Sequence, residues 1–106
     1  RIDEIVAGRA AAFIEKNADR PFYMNIAFVS PHVPIEPSPE FRGKSQAKAY
    51  GDYVQMLDHC AGLVLQALEK AGVADNTLVI FTSDNGAILH ENVHATGHRA
   101  NAARLG

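Results

Sequence analysis

A single cysteine, no long apolar run and almost no charge imbalance exclude several classes of protein before any motif is considered. Cys60 is alone, so an internal disulfide is impossible. It falls within an apolar helical pattern, which predicts a buried and inert thiol. The apolar runs stop far short of the roughly 18 residues that a membrane helix requires. The formal charge is −2 with acidic and basic residues interspersed, so no nucleic-acid or membrane surface is indicated. Repeats and low-complexity tracts are also missing. What remains is 106 residues, room for one small domain. The sequence opens at Arg1 with neither initiator methionine nor signal peptide and closes on Arg104-Leu105-Gly106 without a finishing element. We therefore expect a piece cut from, or ordered within, a longer protein, in which case the lack of a targeting segment says nothing about location.

From about Ile2 to Lys16, Ile2, Ile5, Val6, Arg9, Ala10, Phe13 and Ile14 recur at three- and four-residue spacing and predict an amphipathic helix. Pro21 ends it, because proline disfavours a helical predecessor. Residues 22–29, Phe-Tyr-Met-Asn-Ile-Ala-Phe-Val, are rich in aromatic and branched side chains and predict an interior strand. Residues 30–45 hold four of the five prolines and predict a loop with little backbone freedom to lose, a fixed rim rather than a flexible lid. A second helix is expected from an N-cap at Ser45 to about Ala71, with Tyr50, Tyr53, Val54, Leu57, Cys60, Ala61, Val64, Leu65 and Leu68 on its apolar face. Asp58 is expected close to that face, and Gly72 is the expected stop. The order helix, strand, loop, helix, strand predicts an α/β fold with a right-handed parallel βαβ unit.

The second expected strand, Thr77-Leu78-Val79-Ile80-Phe81-Thr82, runs into Ser83-Asp84-Asn85-Gly86. A β-branched apolar run of this length reads as a strand buried on both faces. Parallel sheets bind ligands just outside the carboxyl ends of their strands. Asp84 and Asn85 there are two hard oxygen donors suited to Ca²⁺ or Mg²⁺; alternatively they form a polar turn that bonds only to local backbone. The first expected strand ends in Ser30-Pro31-His32-Val33-Pro34. If the strands are parallel, His32 shares the rim with Asp84 and Asn85, and an imidazole suits proton transfer near neutral pH. A loop histidine that is a structural hydrogen-bonder or simply solvated is the competing reading.

Phe22 to Pro34, the segment Tyr50 to Asp58, Asn76 to Gly86, and Gly97-His98-Arg99 together resemble the type I sulfatases, the arylsulfatase family of the alkaline phosphatase-like superfamily. The resemblance runs through nearly the whole chain, and it implies a partial alkaline phosphatase-like α/β domain. It further implies cleavage of sulfate esters by a formylglycine nucleophile, with Ca²⁺ holding the sulfate oxygens. Asp84 and Asn85 then match two metal ligands, Asp84 also orienting the nucleophile. His32 matches a histidine near the leaving oxygen that helps protonate it. Export is the family habit.

The departures from that pattern are specific. No Cys/Ser-x-Pro/Ala-x-Arg motif is present, and Cys60, followed by Ala61-Gly62-Leu63-Val64, cannot supply one. The family's first aspartate pair, its basic residues near the nucleophile and a later lysine are missing too. Asp84 and Asn85 give at most two of the roughly six oxygens Ca²⁺ takes, so these residues alone should neither hold metal tightly nor turn over substrate. His90, His94 and His98 would align on a helix for a metal such as Zn²⁺, but Asn92, Thr96 and Gly97 favour a mobile loop over 87–100. Two alternatives stay open. One is a phosphodiesterase or phosphonate hydrolase of the same superfamily. The other is a non-catalytic module that self-associates, as a homodimer or strand-swapped oligomer, through unpaired sheet edges.

Overall fold

The computed structural model describes residues 2–86; the expected histidine loop at 87–100 lies outside them. Two helices form its body. Helix α1 spans Ile2–Asn17 and α2 spans Lys48–Lys70, and the two pack against each other. Short 3-10 turns at Pro39–Phe41 and Ala74–Asn76 sit against α2. None of the described helices is long and apolar enough to cross a membrane.

The buried side of α1 is Asp3, Ala7, Ala10 and Ile14, a 3-4 repeat. The expected stripe is therefore rotated by roughly a quarter turn at about 100° per residue. Ile2, Ile5 and Phe13 stay exposed. The small side chains of Ala7 and Ala10 let the helix axes approach closely, which bulkier residues would prevent. On α2 the buried residues include Tyr50, Asp52, Tyr53, Met56, Cys60 and Leu68. Asp58 is exposed, contrary to expectation, and Asp52 is the carboxylate in the stripe. The geometry explains the exchange: Asp58 lies roughly 140° from Tyr53 around the helix at about 100° per residue.

Both helix ends of α2 have local causes. Its first turn follows Ala47, with no side-chain cap; Ser45 instead accepts from the Ala47 amide (3.0 Å) and, through its carbonyl, from the Lys48 amide (3.2 Å). At the other end Gly72 takes φ = 76°, its amide donates to the Glu69 carbonyl (3.0 Å), and Val73 donates to Leu68 (3.1 Å). That pair of bonds is a Schellman stop, which needs a residue tolerant of the left-handed region. Asn17 closes α1 by donating from Nδ2 to the Phe13 carbonyl (2.8 Å).

The expected parallel βαβ unit is not formed: no strand occurs among the described residues. Residues 21–29 and 77–83 adopt neither helix nor turn, and no backbone ladder joins them. Apolar, β-branched composition favours extended backbone, but a strand exists only when a second segment supplies its hydrogen bonds, and neither segment supplies the other's. Residues 22–29 nevertheless keep a two-residue alternation: Phe22, Met24, Ile26 and Phe28 are half-buried while Tyr23, Asn25, Ala27 and Val29 face solvent. Phe22 packs edge-on against Phe13, ring centroids 5.6 Å apart, and Val29 bonds to Asp3. The segment thus doubles back along α1, from its last turn to its first. Residues 78–86 are exposed throughout.

Candidate functional site

At the end of the returning segment, the Asp3 carboxylate gathers the chain. Oδ1 accepts from the Val29 amide (2.8 Å), Oδ2 accepts from the Ser30 amide (3.0 Å), and the Ser30 hydroxyl also donates to Oδ2. Asp3 is 1% exposed and Ser30 6% exposed, so these bonds form away from water, where an ionised acceptor binds its donors most strongly. Immediately beyond, the His32 amide donates to the Val29 carbonyl (3.0 Å), closing a turn, and the Ser30–Pro31 and Val33–Pro34 bonds are both cis.

The rest of the proline-rich loop is fastened at two further points. Ser38, buried, donates from its hydroxyl to Glu4 and lies 3.4 Å from the Met56 sulfur. Asp52, also buried, accepts from the Gly43 amide through Oδ2 and from the Ser45 amide through Oδ1, each at 2.7 Å. Loop residue Ile35 packs against Ala47 and Tyr50 at the start of α2, and the Phe41 and His59 ring centroids are 5.4 Å apart. Carboxylates from both helices therefore hold 30–45 at its start, middle and end.

His32 rides on this rim with its ring exposed. Its Nδ1 lies 2.7 Å from the Val33 carbonyl. A carbonyl only accepts, so Nδ1 carries the proton in that contact. Nε2 is then the nitrogen open to a substrate, an acceptor in the neutral ring and a donor in the imidazolium. Asp84 and Asn85 are exposed in a local turn: the Ser83 hydroxyl donates to the Asn85 carbonyl (2.7 Å) and Asn85 Nδ2 donates to the Gly86 carbonyl (2.7 Å). That leaves the Asn85 Oδ1 and the Asp84 carboxylate as the oxygen donors. His32, Asp84 and Asn85 all border one broad, open groove lined by both extended segments. Among the described residues, no hydrogen bond joins His32 to either, and no three His, Cys, Asp or Glu residues gather as a metal set.

Cys60 is fully buried, and burial pushes its thiol above its ordinary pKa, with Asp3 and Glu4 adding to the shift. It is no nucleophile. Burial likewise raises the Tyr50 and Tyr53 hydroxyls, and Asp3 and Glu36 add to the shift at Tyr53. The sequence reading missed Asp3, Ser30, Ser38 and Asp52. Asp52 carried a signal, a carboxylate flanked by stripe residues Tyr50 and Tyr53; the long-range partners of Asp3 left none.

A family model described as Sulfatase matches residues 1–105. The chain is 43% identical over 86 residues to a steryl-sulfatase of Rattus norvegicus, covering 81% of this chain and 15% of that protein. It is 36% identical over 90 residues to an N-acetylgalactosamine-6-O-sulfatase of Bacteroides thetaiotaomicron, covering 85% and 18%. With an N-acetylgalactosamine-6-sulfatase of Homo sapiens it shares 42% identity over 89 residues, covering 83% and 17%. The chain thus spans less than one fifth of the length of these relatives. No solved structure matches.

Proposed function

Because this chain belongs to the sulfatase family, we propose that it forms part of the site of a sulfuric ester hydrolase, with His32 as acid to the leaving oxygen and Asp84 and Asn85 as ligands to a divalent cation. The observation that carries the acid role is the bond from His32 Nδ1 to the Val33 carbonyl. It dedicates the other ring nitrogen, Nε2, to the substrate. When the ester S–O bond breaks, the departing oxygen gains negative charge, and an imidazolium donating from Nε2 neutralises it. The acid form must therefore be the doubly protonated ring, restored after each turnover.

Asp84 and Asn85 fit a hard cation in kind, since each has an uncommitted oxygen, and fall short of the six to eight ligands of Ca²⁺ in number. The remaining ligands come from elsewhere in the whole protein. Bound Ca²⁺ would supply charge stabilisation to the sulfuryl oxygens. The nucleophile also comes from elsewhere, since Cys60 is buried and protonated.

The test compares residues 1–106 alone with the full natural chain that carries them, in Ca²⁺ buffer. The short chain is expected to leave a nitrophenyl sulfate intact, and turnover by it would refute the assignment. In the full chain, His32→Ala should lower kcat on the order of 10²–10⁴-fold for an alkyl sulfate. The loss should shrink for the nitrophenyl ester, whose leaving group departs without a proton. An equal loss on both esters would remove His32 from the acid role.

A further inference from the structure

We propose that Asp3 is the positioning residue of His32: its buried carboxylate, on the first turn of α1, fixes the direction in which the 30–34 loop presents the imidazole. The inference rests on His32 acting at the site, and it adds a residue that neither the family match nor the sequence pattern assigns.

Three observations support it. First, Asp3 spends its hydrogen bonds on the chain just before His32. It holds the amides of Val29 and Ser30 and the Ser30 hydroxyl, 26 and 27 residues away in sequence. A first-turn acid that served only the helix dipole would face its own N-terminus and solvent; this one is 1% exposed. Second, the held atoms and the histidine belong to one turn. Val29 donates its amide to Asp3, and its carbonyl accepts from the His32 amide at 3.0 Å. Fixing the Val29 peptide planes therefore fixes the origin of the His32 backbone. Third, the ring's own bond is local, from Nδ1 to the adjacent Val33 carbonyl, so the imidazole moves with the loop. Among the described residues, no hydrogen bond ties the ring to a helix. On the chain just before His32, the side-chain bonds that tie it to α1 among the described residues are those of Asp3.

Asp3→Asn is the informative variant because it preserves shape. The amide keeps one acceptor oxygen and turns an NH₂ toward either the Val29 or the Ser30 N–H, donor against donor. The loop then shifts by a fraction of its reach. A misplacement near 1 Å costs on the order of 10²-fold in rate.

The experiment is a double-mutant cycle in the full natural chain, with kcat on an alkyl sulfate as the readout. Asp3→Asn is expected to lower kcat on the order of 10²-fold with KM little changed. In the His32→Ala background the same change should lower kcat no further, because residues that act as a unit are not additive. Equal proportional losses in both backgrounds, or no loss in either, would overturn the positioning role while leaving His32 in place. If His32→Ala alone leaves kcat unaltered, the site reading itself fails, and this inference with it. Should Asp3→Asn not fold, Ser30→Ala removes one of the three bonds and no backbone contact. It is read through the same cycle, with a several-fold loss expected only when His32 is present.

Discussion

Among the described glycines, Gly51, on the buried side of α2's first turns, is the one whose surroundings leave no room for a side chain. A Cβ built there would stand 2.7 Å from the Ser45 Cβ and 2.8 Å from the Ala47 Cβ, and closer still to the Ser45 hydroxyl. Those atoms belong to the segment that starts the helix, where Ser45 accepts from the Ala47 amide and donates its own amide to Asp52. Relief would require moving backbone. Gly51→Ala should therefore destabilise the chain by about 1–3 kcal/mol, the usual cost of overpacking, despite alanine's higher helix propensity. Chemical denaturation of the two proteins measures it, and a gain of the ~1 kcal/mol that propensity alone predicts would contradict the close approach. No such clash threatens Gly8 or Gly62, which have open space around them. Composition alone cannot tell these glycines apart, since the difference lies in how the chain before α2 folds over it.

The loop 30–45 behaves as an element because side chains on two helices bind it at its start, middle and end. Its end depends on Asp52, whose two oxygens take the amides of Gly43 and Ser45. Asp52→Ala leaves both donors without that acceptor, and loss of bonds to a charged group costs about 1.5–3 kcal/mol each. Since 1.4 kcal/mol is tenfold in an equilibrium, the open form of the loop should rise about tenfold or more. Arg42 and Lys44, both exposed, report it: brief trypsin treatment should cut after them at least several-fold faster in Asp52→Ala. An unchanged cleavage rate would show that the prolines hold the loop unaided. The two helices and the glycine stop at Gly72 were legible in the sequence, because each follows from local spacing or local backbone chemistry. The buried face of α1 was not, since the sequence offers Ile2 and Ile5 as readily as Ala7 and Ala10. What decides between them is the approach of α2 and the inward pull on Asp3. Residues 22–29 and 77–82 read as strands from their composition, and among the described residues they form none. Their composition states a preference, while a ladder needs a neighbour. The candidate site followed the same rule: His32, Asp84 and Asn85 stood out by residue type as candidates, but the carboxylates that bind the loop did not.

On the scale of the whole molecule, the contrast is between a fastened half and an open one. Asp3, Glu4, Asp52 and the α1–α2 contact tie one half together, while residues 78–86 have no described layer over them. Leu78 is 86% exposed, Ile80 76% and Phe81 71%. Burying such side chains is worth about 1.5–3 kcal/mol each, and their backbone amides and carbonyls are open to a partner as well. Among the described residues of a single copy, none covers them. The sulfatase relatives extend far beyond the matched part, which spans 15–18% of their length, so in a full-length member other parts of the chain are available for that task. Residues 1–106 on their own should associate instead. Sedimentation velocity from low to high micromolar concentration is expected to show a weight-average coefficient that climbs with concentration. Replacing Ile80 and Phe81 together by lysine should return the chain to a monomer, because two charges at the centre of the run cannot be buried without partners. A concentration-independent monomer in the unmodified chain would mean that residues 77–83 find their cover within one copy.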